Sequence, residues 1–562
     1  MNLQRGSRNR RLMPLHFKNT DGDIGHAPPL GFLTENEVEA VTNKENTLRV
    51  SLYKALFFFH LTDAIKSGRL IFDSTYRYKG IFDYLIDDDI WSEQRDHLLV
   101  TAGLEDFNNV TLVLDKLKKQ LNEKYHSTNQ RALQGENRFL SFDKTTEKAK
   151  VITPKIDNDD FAFIGDTLMQ AGYVPIQTIL SDINSVCHFN SCFTHFMNKH
   201  NKMKPSLEML MAGIMGIGCN IGVTRIVNIS VGLNENTLDN TVNWFFSLHN
   251  IQSASDRIIE YIDKLSLANA YKFDPEATHT ASDGQKYYVA VDSLNAAYSF
   301  KYFGKDKGST VYTFLDEKQS LFYSTVISAS EREAAYVIDG LMHNDVVKSQ
   351  IHSSDSHGYT ESIFATTHFI GTAFAPRIKN VGNQTLYGFE SPKSYKEKGY
   401  KILPSRRINT KLIKENWEDI LRFMVTIKLK KSSASQLFSR LSSYAKDIPL
   451  YQALKEFGRI MKSHFILTYF DDIELRQRIE KQLNRVELSN KFAKAIFFAN
   501  NQELPEGLKT EQDIIAGCKM LIQNAIVLWN YLYLSEFLAN MDNDKDRDQA
   551  IQSILNGSVR LC

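Results

Sequence analysis

Apolar positions recur at three- and four-residue spacing through much of the first 270 residues, the mark of helices with one buried face. Leu52, Ala55, Leu56, Phe59 and Ala64 share a face between Leu48 and Gly68, and Gly68 reads as the stop. Leu98, Leu99, Leu112, Leu114, Leu117 and Leu121 continue the pattern over 91–125. The stretch 126–160 is polar and charged with little periodicity, and predicts a linker or irregular region. Helical spacing returns from Phe161 to Ala270. Upstream, Pro28, Pro29 and Gly31 break any regular element, and 1–50 reads as loosely organised.

The texture changes after Ala277. Short runs rich in aromatic and β-branched residues predict strands at 286–291, 297–303, 309–315 and 321–327, with Asp316–Gln319 as a hairpin turn. A helix fits 331–344, a strand 346–352, a helix 359–370 and a strand 372–378. Strands followed by helix, strand, helix, strand match a ribonuclease-H-like core, a mixed sheet with helices on both faces. Helical patterns resume over 417–470. Ile479, Leu483, Val486, Ala493 and Phe497 then form an apolar stripe over 475–498, and Ile522, Ile526, Trp529 and Leu532 another over 521–538. The expected fold is therefore mixed α+β. A loose segment (1–50) and two helical regions (51–160, 161–275) lead to the first part of the core (276–380). A basic helical insertion (381–474) separates it from a catalytic helix with C-terminal helices (475–562).

Composition narrows the class only slightly. With 562 residues, 43% hydrophobic and 24% charged, the chain is an ordinary multi-domain globular protein in make-up. Five cysteines, an odd number, speak against a disulfide framework and for a reducing compartment. The longest apolar stretch, 209–223, carries four glycines and falls short of the roughly 18 residues of a spanning helix, so no membrane role is expected. Net charge is +1, yet 401–494 holds 20 Lys and Arg against 10 Asp and Glu, a basic block in an otherwise acidic chain and a candidate polyanion surface.

Three acidic residues carry the candidate chemistry. Asp283 follows Ala281-Ser282 and precedes Gly284, Asp355 lies in Ser353-Ser-Asp-Ser-His357, and Glu487 lies one residue off the apolar stripe of its helix. Carboxylates converging from two strands and a later helix can hold two divalent cations, and such a pair can cut and rejoin phosphodiesters. Each residue also has a plainer reading. Asp-Gly is a common turn pair, Asp355 is placed to cap the helix near Tyr359, and Glu487 has Lys491 at i+4. Cys187, His188, Cys192, His195 and His200 are zinc-ligand types, but their spacing is wrong for a zinc module and they lie in a helical, aromatic-rich stretch. Gly213, Gly216, Gly218 and Gly222 lack a preceding strand and read as close helix packing rather than a dinucleotide loop.

Longer segments carry a family resemblance. They include Tyr53–His60, Gly218-Cys-Asn-Ile-Gly222, Ser282-Asp-Gly-Gln285, Asp355–Glu361, Phe374-Ala-Pro-Arg-Ile-Lys379, Gln482–Glu487 and Asn524–Asn530. In this order, over about residues 50–535, the chain resembles the catalytic half of a Tn-three-type transposase, the replicative, cointegrate-forming kind. The resemblance implies that Asp283, Asp355 and Glu487 are its DDE residues, holding two Mg²⁺ ions with Mn²⁺ as a substitute. It implies cutting of transposon ends and joining of 3′ ends to target DNA, by a homodimer on paired terminal inverted repeats in the bacterial cytoplasm. Family members are typically longer, with N-terminal modules that recognise the inverted repeats, so this chain reads as starting internally. A truncated remnant that binds DNA or a full-length transposase without transposing is the alternative. A DNA-holding surface calls for Lys and Arg on phosphates. The candidates are Arg377 and Lys379 beside the core, Lys428, Lys430, Lys431 and Arg440 in the insertion, and Lys491 and Lys494 beyond Glu487.

Overall fold

A five-strand path of buried and half-buried backbone organises the larger part of the protein, seen here in a computed structural model. The structure describes residues 3–5, 17–18, 23–24, 28–42, 48–66, 70–72, 80–143, 148–154, 161–197, 204–293, 295–355, 358–442 and 448–560. Of the basic start, Arg8, Arg10 and Arg11 lie outside them, as do His200 and His357. Contacts divide the chain into two units, one of residues 1–116 with 409–457, the other of 117–408 with 458–562. Among the described residues no helix is long and apolar enough to cross a membrane.

The strands are β1 (His279–Tyr288), β2 (Lys307–Leu315), β3 (Leu321–Ser328), β4 (Ile351–Ser354) and β5 (Ala373–Phe374), in spatial order β3-β2-β1-β4-β5. β1, β2 and β3 pair antiparallel, whereas β4 runs parallel to both β1 and β5. A short turn joins antiparallel β2 to β3, the helix Ala334–Met342 lies between β3 and β4, and the helix Glu361–Phe369 joins the parallel neighbours β4 and β5. The fold is thus mixed α+β around one mixed sheet, as the strand and helix succession predicts.

Several boundaries differ from the sequence expectation, each for a physical reason. β1 begins at His279 rather than Lys286 because its first half is polar yet buried, and its polar groups are satisfied by side chains from other strands. Thr280 Oγ1 meets His352 Nδ1 at 2.8 Å, and Ser282 Oγ meets His352 Nε2 at 2.9 Å and the Tyr312 hydroxyl at 2.7 Å. His352, between the rings of Phe314 and Phe374, is a fully buried structural histidine whose burial lowers its pKa to about 3. The 297–303 run yields a two-residue strand, Ala297–Tyr298, and a short helix, Phe300–Phe303. β4 starts at Ile351 because Asn344 holds the Val347 amide in a turn (2.9 Å). Among the described residues of 126–160, which the sequence reads as a linker or irregular region, the Val110–Gln134 helix runs on to Gln134 and Leu140–Phe142 pairs antiparallel with Ala149–Val151.

A helical core packs beside the sheet. The Lys509–Ala539 helix buries Leu521, Ile522, Ala525, Leu528 and Tyr531 against the helices Ile176–Cys187, Leu207–Gly218 and Leu248–Ile262. Gly218 is required at that crossing: a Cβ there would stand 2.6 Å from Ile522 Cδ1 and 3.0 Å from the Cys518 backbone. Cys187 joins this apolar core, and His195 stacks on Trp244 (5.2 Å), so both serve packing. Among the described residues no group of three His, Cys, Asp or Glu side chains is placed to hold a metal ion.

The other unit is also held by specific polar contacts. Trp417 Nε1 donates to Phe107 O (2.9 Å), the Ile86 amide to Thr426 Oγ1 (3.1 Å), and buried Arg422 to Ile86 O and Asp88.

Candidate active site

Strand register brings the first two carboxylates together. In the parallel β1–β4 pair, Ser354 lies opposite Ser282. Asp355, the residue after Ser354, therefore leaves the sheet beside Asp283. Asp283 itself sits mid-strand, opposite Thr313 of β2, and is not a turn residue. Asp355 does not cap the following helix, because Thr360 does, accepting from the Ile363 amide at 3.4 Å.

The third carboxylate arrives on the Ile473–Ile496 helix, which carries its apolar stripe inward (Ile479, Leu483, Val486 and Ala493 are buried). Glu487, adjacent to that stripe, is exposed at its edge. Polar side chains fasten the helix to the sheet. Gln482 Nε2 donates to Leu315 O (3.4 Å) and Arg485 Nη1 to Glu317 O (3.1 Å). One turn past Glu487, Asn490 Nδ2 donates to Asp283 Oδ2 at 2.9 Å.

Arg377 ties the remaining pair. Its backbone amide donates to Ser354 O (2.9 Å), which fixes the residue at the end of β4. Its guanidinium donates to Asp355 Oδ1 at 3.2 and 3.3 Å and stands 3.6 Å from Glu487 Oε1. A planar, permanently charged fork suits two carboxylates at once.

Burial pushes the Asp283 carboxyl up to about 7; Glu333 is the largest electrostatic contributor, and Asp355 and Glu487 add to it, while the Gly284 amide works the other way. Glu333, just before the Ala334–Met342 helix, pairs with Lys286 (3.1 Å) and lies against Gly284, where a Cβ would collide with its carboxylate. Glu333 and Asn490 are the members of this neighbourhood that sequence reasoning missed. Asn490 shares a helical face with Glu487 three residues away, a usable signal. Glu333 has no such signal, since only tertiary folding brings it to β1.

The candidate phosphate contacts fall into two groups. Arg377, Lys379, Lys491 and Lys494 belong to the same unit as the carboxylates, and the latter three are exposed. Lys428, Lys430, Lys431 and Arg440 belong to the other unit. There Lys428 Nζ donates to Gly103 O (3.2 Å) and burial lowers its pKa. Arg440 lies 5.4 Å over the Tyr84 ring and donates to its hydroxyl at 3.2 Å, while Lys430 and Lys431 are exposed.

Residues 178–556, more than half the chain, match the family described as Tn3 transposase DDE domain. A DDE domain implies dependence on a divalent cation. The donors here fit such an ion in kind: carboxylate oxygens are the ligands hard cations take, and Asp283 is a half-buried carboxyl among like charges. They are not closed around a common point, and Arg377 stands between Asp355 and Glu487.

The transposase for transposon Tn1546 of Enterococcus faecium is 29% identical over 490 residues, 87% of this chain and 48% of that relative. The transposases for Tn2501 and Tn21 of Escherichia coli are each 27% identical, covering 92% and 90% of this chain and 51% and 50% of their own lengths. The chain thus spans about half the length of the curated relatives it matches. On the match over 178–556, the chain belongs to the Tn3 transposase DDE domain family.

Proposed function

We propose that this chain is the catalytic portion of a replicative DNA transposase, which cuts transposon ends and joins the freed 3′-hydroxyls to target DNA by phosphoryl transfer. The observation that carries the proposal is that the β1–β4 register sets Asp283 beside Asp355, while Arg377 bonds Asp355 and stands 3.6 Å from Glu487 on a later helix. The sheet order, with a parallel pair at its centre and antiparallel strands to one side, supports a ribonuclease-H-like core built from 276–380 and 475–562. On this reading 381–474 is an insertion into that core, and 51–275 is scaffold.

Asp283, Asp355 and Glu487 would hold Mg²⁺, two ions in the two-metal scheme, with Mn²⁺ as a substitute. Bound there, the ions would activate the attacking oxygen and stabilise the leaving one. The protein's own part is placement. The β1–β4 register sets the two aspartates side by side, and the Gln482, Arg485 and Asn490 contacts hold the Glu487 helix against the sheet. Arg377, once its carboxylate partners take a cation, is in position to bind a phosphate of the strand being cut. Lys379, Lys491 and Lys494 would extend that phosphate track, and Lys428, Lys430, Lys431 and Arg440 would form a second basic surface on their own unit. Substrates are terminal inverted repeats and target DNA, handled by a homodimer on paired ends in the bacterial cytoplasm.

The test is a strand-transfer assay with pre-cut ends in Mg²⁺ or Mn²⁺. Joining by the native chain, and its loss in Asp283→Asn, Asp355→Asn and Glu487→Gln with DNA binding retained, is the expected outcome. Folded protein that binds the ends but joins nothing with either ion would leave a DNA-binding role in place of catalysis.

A further inference from the structure

Resting on that reading of the site, we propose that Asn490 is a positioning residue for the reaction. Its side-chain amide locks the strand that carries Asp283 to the helix that carries Glu487.

The lock is built from both ends of the amide and from the backbone beneath it. Asn490 Nδ2 donates to Asp283 Oδ2 at 2.9 Å. Its Oδ1 accepts from Thr313 Oγ1 at 3.4 Å, and Thr313 is the β2 residue directly opposite Asp283. Its backbone oxygen accepts from Gln285 Nε2 at 2.5 Å. Three contacts therefore span two adjacent strands, all at the turn following Glu487. An Asn at this point supplies a donor for a carboxylate and an acceptor for a hydroxyl in one rigid plane.

The strand side of the lock is itself braced. Residues two apart on a strand share a face, so Asp283, Gln285 and Tyr287 line one side of β1. The Tyr287 hydroxyl donates to Gln285 Oε1, and Lys519 Nζ of the Lys509–Ala539 helix donates to that hydroxyl at 2.8 Å. Gln285, Tyr287 and Lys519 are all buried. A continuous series of side-chain bonds thus runs from the helical core through Tyr287 and Gln285 to Asn490 and ends on Asp283. Glu487, three residues before Asn490, is held at a fixed place relative to Asp283 by the same series. The other side-chain bonds near the middle of this helix, from Gln482 and Arg485 to the sheet and from Gln523 and Arg560 to Ser489, hold the helix without touching Asp283.

The test compares Asn490→Leu, Asn490→Asp and Asn490→Gln with the native chain. Asn490→Leu is close in size and lacks both polar groups. Asn490→Asp is isosteric but cannot donate to Asp283. We expect both to lower the kcat for joining of pre-cut ends by about 30-fold or more, with KM for the ends within about twofold. Asn490→Gln, which keeps the amide, should recover part of the loss. Mn²⁺ binding to the protein, followed by the electron-spin resonance of the free ion, should weaken about tenfold in the Leu and Asp variants. Native kcat and native Mn²⁺ affinity in Asn490→Leu would overturn the proposal. A native chain that neither binds Mn²⁺ nor joins ends would instead overturn the proposed function. Hydrogen exchange of the peptides spanning 482–496 would then decide the lock by itself. Faster exchange in Asn490→Leu at unchanged circular dichroism supports it, and unchanged exchange overturns it.

Discussion

Two long helices reach the same sheet and are held to their surroundings by different proportions of burial and directed bonds. The Lys509–Ala539 helix is buried nearly all round, and packs Leu521, Ile522, Ala525 and Leu528 into an apolar core where Gly218 lets another helix approach. Its position rests mostly on burial, which is strong and tolerant of direction, with directed bonds from Asp513, Lys519 and Asn524 to the sheet added to it. The Ile473–Ile496 helix buries a narrower stripe and is fixed at its functional end by directed bonds from Gln482, Arg485 and Asn490. Burial determines whether a helix docks. Hydrogen bonds, which weaken within a few tenths of an ångström or a few tens of degrees, determine where a particular side chain ends up. A helix that must deliver one carboxylate to a site needs the second kind.

The sharpest break in this comparison is at Glu487. It is exposed and contributes little to packing, so Glu487→Gln should leave thermal unfolding within about a degree or two while lowering joining on the order of 10²–10³-fold. An equal loss of stability and activity would mean that the helix is not divided in this way. The converse substitution is Ile522→Ala in the apolar helix. It should cost about 2–5 kcal/mol in urea unfolding, through lost burial and a cavity, while joining per folded molecule stays within about twofold. A large fall in turnover among the molecules that remain folded would show that the core helix, too, sets the site.

The same contrast governs what the sequence makes legible. Apolar stripes announce themselves by period, and so the 475–498 helix, its inward residues and the edge position of Glu487 are readable from spacing alone. Directed polar contacts have no period. β1 is hidden because Thr280, Ser282 and Gln285 are buried with side-chain partners on other elements 30 to 205 residues away, and a polar run of that kind reads as a loop. The Lys509–Ala539 helix begins 12 residues before its visible stripe for a related reason: its first turns include Gln512, Asp513 and Lys519, each held by a remote polar partner. Arg377 is legible as a cation near the core, but its engagement with Asp355 depends on the β4 register. Lys428 and Arg440 are legible only as charge, whereas Gly103 and Tyr84, which receive them, lie more than 300 residues away in the chain.

Lys519 belongs to both kinds of helix, and gives the smallest but most specific test. It is a polar residue on the apolar helix, 3% exposed, with its ammonium 4.3 Å from the Tyr287 ring. Burial lowers its pKa from 10.5 to about 7, and burial also pushes the Tyr287 phenol upward, so that neither charges readily. The sign of the consequence follows from proton counting. Between about pH 7 and 10.5 the unfolded chain holds a proton on Lys519 that the folded chain does not, so stability rises with pH across that window. Below it both states are protonated and the cost of burying the charge is present in full, with no slope. Lys519→Met removes the group. In urea unfolding at pH 7 and at pH 9.5, the native chain should gain more stability on going to the higher pH than the variant does. The variant's joining kcat should fall only modestly, because Gln285 still reaches Asn490 when the Tyr287 end of the series is cut. Equal pH slopes would mean that Lys519 is solvated, and the bracing of β1 from the apolar core would then be absent. A fall in kcat as large as that of Asn490→Leu would mean the opposite: the directed contacts at Glu487 depend on a polar anchor inside the core, and the two ways of holding a helix are coupled through one amine.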